Sequence, residues 1–227
     1  MKIGIITAMS SEYKQVAQLM EEKKEHTEGI YSYTEGKIKN NTLILTQCGI
    51  GKVNAAAGAV ELIRNFQPDC IISTGVAGGI DKCLKVMDVV ASSHIVYHDV
   101  WCGEGNEYGQ IQGLPDRFAG DKVLIEKVLK ANEGKRVYGG LICSGDKFIT
   151  DRKELEAIKA RFPEGMACDM ESGAIAQVCH ICHIPFISMR IISDTPGVDD
   201  HWEQYTNFWE AAPQQSFAIL RNTIENL

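Results

Sequence analysis

The sequence predicts an α/β domain organised on a buried, parallel or mixed sheet, and three observations predict it. The 227 residues are 44% hydrophobic, enough for one large core. Three short runs, Ile3–Ile6, Cys70–Ile72 and Phe186–Ile192, are apolar almost throughout, as strands covered on both faces require. Between such runs stand helix-length stretches of small or amphipathic pattern, among them Asn54–Phe66, Asp121–Ala131 and Asp151–Phe162. No repeat, low-complexity tract or linker divides the chain, so residues 1–227 read as a single domain. The formal net charge of −7 tells against a nucleic-acid or anionic-membrane surface. No apolar run reaches the about 18 residues that would span a membrane. The N-terminus is too short and too lightly charged for a signal peptide. Eight cysteines without a secretory signal read as reduced thiols of a cytoplasmic protein.

In chain order, residues 2–8 form the first strand. Ser10 or Ser11 is placed to cap a helix carrying Tyr13, Val16, Ala17, Leu19 and Met20. Glu12 has two readings: an acid that complements the helix dipole, or a group at the mouth of strand one facing a ligand crevice. Residues 21–29 are charged and read as solvated. Ile30–Ile38 and Thr42–Gln47 read as strands joined at Lys39-Asn40-Asn41. Cys48-Gly49-Ile50-Gly51-Lys52 then leads into an Ala-rich helix ending near Phe66. The segment looks like a phosphate loop but fails the pattern, because Thr46 and Val53 stand where Gly and Ser/Thr are needed. It fails the dinucleotide pattern too, with Asn54 at the third glycine. These glycines read as allowing close helix–strand approach.

Asp69–Thr74 is a buried strand expected to end in a glycine turn, Gly75–Gly79. Val86–Tyr97 is a further strand region. The glycine-rich stretch from Cys102 to Phe118 is a long loop, a length more often functional than idle. Asp121–Ala131 is a helix and Val137–Cys143 a strand. Phe148, just beyond that strand, reads either as core or as a flat face for stacking a base, worth about 1–3 kcal/mol where such stacking is measured. Asp151–Phe162 is a helix with an Asp151-x-x-Glu154 capping pattern. Cys179-His180-Ile181-Cys182-His183 has the spacing of a haem attachment sequence, but it continues a buried helix and has no second Cys/His pair for zinc. His201–Leu227 is a final helix that Pro213 bends or divides.

The stretch Ala167–Asp194 organises the rest. Small residues after Glu171 suit a buried helix, and Phe186–Ile192 suits a strand ending at Asp194. Helix starts and strand ends border the crevice where open α/β sheets bind ligands. Glu171 and Asp194 are therefore candidate catalysts.

The ordered set Ile3-Gly4-Ile5-Ile6-x-Ala8-Met9 with Glu12, Gly49-Ile50-Gly51-Lys52-Val53-Asn54, Thr74-Gly75-x-Ala77-Gly78-Gly79, Ser144-Gly145-Asp146-x-Phe148-Ile149, Met170-Glu171 and Arg190–Asp194 resembles the 5′-methylthioadenosine/S-adenosylhomocysteine nucleosidases of the nucleoside phosphorylase superfamily. The resemblance spans almost the full length. It implies a three-layer αβα sandwich around a mixed, partly barrel-like sheet, and hydrolysis of the bond between adenine and a 5′-thio-substituted ribose. By the same resemblance Asp194 protonates N7 of the departing adenine and Glu12 deprotonates the attacking water. Glu171 would hold the ribose hydroxyls with Met170 against the sugar, and Phe148 and Ile149 would form the purine pocket beside Gly78. Met9, Ile50 and Phe208 would line the ribose and 5′ end. No cofactor or metal is implied; the partners are small adenine nucleosides and a second copy of the chain.

Three departures accompany the likeness. Val76 replaces a serine that helps hold phosphate in the phosphorylases, which favours water as nucleophile. Asp169 replaces a glutamate of longer reach. Val100–Glu104 differs from the family pattern in a loop expected near the 5′-substituent or a subunit contact. The alternatives are a nucleosidase for another adenine nucleoside such as aminodeoxyfutalosine, a purine nucleoside phosphorylase, and a non-catalytic nucleoside sensor. The joint presence of Glu12, Glu171 and Asp194 favours an enzyme, since a binder needs neither acid nor base.

Overall fold

The computed structural model describes every residue except 197, 199 and 212–216, together with the side chains of 210 and 211. Its centre is a ring of strands. β10 (Phe186–Asp194) pairs with β5 (Cys70–Gly79) on one side and β6 (Val89–Tyr97) on the other. β6 continues to β8 (Val137–Ser144), β8 to β9 (Gly165–Asp169), and β9 returns to β5, closing a five-stranded barrel. A blade extends from β5 in the order β1 (Lys2–Thr7), β4 (Asn41–Gln47), β3 (Tyr31–Ile38), β2 (Glu21–Glu28). A short β7 (Phe118–Ala119) pairs with β6.

Helices cover both sides, as the apolar runs require. On one side α2 (Lys52–Phe66) and α5 (Ser172–Cys182) bury Ala55, Ala59, Leu62, Ile175 and Cys179. On the other, α1 (Ser10–Leu19), α3 (Lys122–Ala131), α6 (His201–Ala211) and α7 (Ala218–Glu225) bury Val16, Leu124, Val128, Phe208 and Ile224. α4 (Arg152–Arg161) closes a third cluster through Ile158. No described helix is long and apolar enough to cross a membrane.

Three expectations need correction. The charged stretch 21–29 is largely a strand: Glu21–Glu28 pairs antiparallel with β3 while most of its side chains stay in water, so charge guards a sheet edge here. Gly75–Gly79 is no turn but the last half of β5. Cβ atoms at Gly75 and Gly78 would run into Glu12 with Arg190 and into Pro196 with Cys168, so glycine permits close approach. Gly49 and Gly51, by contrast, make a turn between strand and helix, at φ 95° and 92°, which side chains strain to adopt. Finally, neither Ser10 nor Ser11 caps α1: Met9 holds that position, and the Glu12 carboxylate accepts its N–H at 2.9 Å. Pro213 lies outside the described residues.

Candidate active site

The carboxyl ends of β1, β5, β9 and β10 and the start of α6 surround a cleft. It is lined by Met9, Glu12, Ile50, Gly78, Phe148, Ile149, Met170, Glu171 and Asp194. Every site residue expected from the sequence is therefore gathered here except Phe208. Phe208 is buried against the core under α6, edge-on to Trp209. Tyr205, one turn earlier on α6, occupies the cleft instead, with its hydroxyl 3.8 Å from Met9 Sδ. A helix presents neighbouring turns to the same face, and the sequence does not say which turn reaches the ligand.

Glu12 unites its two sequence readings. One oxygen, Oε2, accepts the N–H groups of Ala8 and Met9, both at 2.9 Å, and so completes the first turn of α1. The other, Oε1, accepts the Val76 N–H at 3.0 Å. Val76 thus contributes a backbone donor that any residue would supply, and the loss of a serine hydroxyl leaves that bond intact. Burial raises the Glu12 pKa above its ordinary 4.5, against the opposing pull of Arg190 and the three N–H groups. A carboxylate so raised is a better proton acceptor near neutrality.

Glu171 sits at the N-terminus of α5, and its Oε1 accepts the Gly51 N–H at 3.1 Å. The glycine turn that looked like a phosphate loop therefore steadies a carboxylate. Burial pushes Glu171 up to about 7, the Arg190 charge only partly offsetting it. Arg190 is the residue the sequence reading passed over. It is fully buried; Nε lies 2.7 Å from Asp169 Oδ2, Nη2 lies 3.7 Å from Glu171 Oε2, and Nη2 donates to Ser73 Oγ at 3.0 Å. Burial works against its charge, but Asp169, Glu171 and Glu12 outweigh that and hold the guanidinium above its ordinary value. The available signal was a lone arginine inside a strand otherwise buried, which demands carboxylate partners. Asp169 also accepts hydrogen bonds from Ser172 N and Oγ, so its short side chain matches what it must reach.

Asp194 ends β10 just past a register shift between Ile192 and Asp194. Such an irregularity re-aims a side chain. Its Oδ1 accepts the Ser193 hydroxyl at 2.5 Å. Burial raises its pKa above the ordinary 3.8, with Ser193 and His201 opposing. Phe148 is 43% exposed, so it is no core residue; its ring meets those of His201, Trp202 and Tyr205 at 5.6–6.4 Å. The described residues of the 98–117 loop do not line the cleft. Trp101 stacks on Tyr108, and Arg161 of α4 covers Tyr108 at 4.2 Å. No group of three or more potential metal ligands occurs among the described residues.

Comparison with known proteins shows the family. The model of the phosphorylase superfamily matches residues 2–225. The 5′-methylthioadenosine/S-adenosylhomocysteine nucleosidase of Actinobacillus succinogenes is 41% identical, covering all of both chains. The crystal structure of the same enzyme from Neisseria meningitidis, in complex with methylthio-immucillin-A, is 37% identical, with a TM-score of 0.94 over 100% of this chain and 99% of that one. The futalosine hydrolase of Helicobacter pylori shares the fold, at a TM-score of 0.91 over 100% of this chain and 98% of the other, but is only 26% identical. With its barrel, its acidic cleft and a full-length likeness well beyond fold alone, the chain belongs to the 5′-methylthioadenosine/S-adenosylhomocysteine nucleosidase family of the phosphorylase superfamily.

Proposed function

We infer that this protein hydrolyses the N-glycosidic bond of 5′-methylthioadenosine and S-adenosylhomocysteine, releasing adenine and the 5-thio-substituted ribose. The observation that carries the reading is one cleft holding Glu12, Glu171 and Asp194 beside the half-exposed ring of Phe148. Adenine leaves poorly as an anion and must gain a proton as C1′–N9 breaks. Asp194, buried and raised, is the acid at N7, a role typically worth about 10²–10⁴-fold. The ribose becomes oxocarbenium-like, and nearby carboxylates stabilise its positive charge. Glu12 takes the proton of the attacking water, and Glu171 holds the ribose hydroxyls. Phe148 stacks the purine; Met9, Ile50, Met170 and Tyr205 surround the sugar and 5′ group with thioether and apolar surface.

Phosphorolysis is disfavoured by charge. Lys147 is the one basic residue among the described lining, and Arg190 is already shared among carboxylates. The protein works on this reading as a cytoplasmic homodimer, supported by the exposed Val53 and Ile181 flanking an apolar groove between α2 and α5. Light scattering should report a dimer for the wild type and a monomer for Val53→Glu. The deciding assay is adenine release from methylthioadenosine, with and without phosphate, in wild type and Asp194→Asn. Phosphate-dependent turnover would overturn the hydrolase reading, and undiminished release in the variant would overturn the role of Asp194.

A further inference from the structure

Each oxygen of Asp194 has a neighbour supplied by the protein. Oδ1 accepts the Ser193 hydroxyl, and Oδ2 lies 2.8 Å from His201 Nε2, the first residue of α6. Both side chains are almost wholly buried, at 7% and 2% exposure. His201 does not line the cleft, so it meets the acid and not the ligand. Its Nε2 has no hydrogen-bonding partner among the described residues apart from this contact. Asp194 is the one acidic group within ion-pair reach of this ring among the described residues. Phe148 lies against the ring, with centroids 5.7 Å apart.

Over 2.8 Å a single proton has two seats, the carboxyl or the imidazole. We propose that His201 is a positioning residue that holds the transferable proton jointly with Asp194, so that the pair is the leaving-group acid. The inference rests on the Asp194 role given above. In turnover the Asp194 O–H bond breaks as its proton bonds to N7, and the C1′–N9 electron pair passes to adenine. The water oxygen bonds to C1′ while its proton goes to Glu12. This leaves Asp194 a carboxylate beside a neutral His201 imidazole. The pair regains its one proton from solvent as Glu12 releases one, so the protons balance.

Two interacting groups titrate as a unit. A proton with two seats leaves at higher pH than one confined to Asp194, so the pair extends activity to the alkaline side. Other ionisable groups on the surrounding elements do not substitute for it. Cys168 of β9 and Tyr205 of α6 are both raised by burial and keep their protons. Asp200 and Glu203 are exposed, Lys147 stands at the cleft lining, and Glu12 is tied to three backbone N–H groups.

His201→Gln puts an amide near the place of Nε2 without a titrating ring. The test is the pH profile of kcat/KM for adenine release from methylthioadenosine. The expected result is an alkaline limb displaced to lower pH by about one unit or more, with KM at the optimum unchanged. Superimposable profiles would overturn the proposal. Should the variant not fold, the His201 ring is followed by NMR in wild type and Asp194→Asn; its titration should lie higher in the wild type, and coincident titrations overturn the proposal. A fully active Asp194→Asn removes the Asp194 reading itself, whereas an inactive one beside an unmoved His201→Gln profile removes the His201 inference alone.

Discussion

Arg190 and Asp194 stand four residues apart on β10, and their surroundings are opposite. At Arg190 a permanent cation is enclosed by Asp169, Glu171 and Glu12, and by the hydroxyls of Ser73, Ser172 and Ser188. At Asp194 no permanent cation is in ion-pair reach among the described residues; a hydroxyl and a histidine are. The first corner holds the guanidinium charge in place. The second leaves a buried acid free to carry a proton. Burial raises the carboxyls at both corners, but only at the first does a guanidinium oppose it.

Breaking the first corner should have the largest effect. Arg190→Met leaves buried carboxylates without their cation, a loss on the order of 3–5 kcal/mol. Denaturant unfolding should show a much earlier midpoint, and a midpoint equal to wild type would refute the structural role. Breaking the second corner should spare the fold. Asp194→Asn should lower kcat by about 10²–10⁴-fold while its melting temperature stays at or above that of the wild type.

Phe148→Ala sharpens the contrast, because it removes the purine's stacking surface and touches no charge. A loss of about 1–3 kcal/mol should appear as weaker binding of adenine by calorimetry, and equal affinity in variant and wild type would refute the stacking role. The subtlest effect concerns Glu12. Its folded-state pKa is raised, so the folded protein holds this proton more tightly than the unfolded chain. Its contribution to stability is therefore present below the ordinary 4.5 and is lost as pH rises toward the raised value. Glu12→Gln, although inactive, should gain in melting temperature relative to wild type as pH rises through that window. A difference independent of pH would show that Glu12 is not held by burial.

Much of the site was legible because its groups stand at element boundaries. Glu171 begins a helix of small residues and Asp194 ends an apolar run, so both were read toward one crevice, whereas Glu12, after a buried strand, also read as a partner of the helix dipole. Phe148 was legible as a choice between core and platform, and its exposure decided the matter. Tyr205 and His201 were not legible. They sit on a helix whose pattern names an apolar face, but the angle at which that helix crosses the barrel mouth sets which turn reaches the ligand. The strand at 21–28 escaped notice because charge on a sheet edge and charge in a solvated loop have the same composition.

By itself the sequence determined most of the strands and helices, the buried runs and the candidates Glu171 and Asp194, because those follow from periodicity and from where polarity interrupts it, while the role of Glu12 rested on the family resemblance. Only the tertiary structure decided the closure of the barrel, the glycines that admit Glu12 and Arg190, and the pairing of His201 with Asp194. Those depend on distances between residues far apart in the chain, and local pattern carries no information about such distances until the sheet has closed.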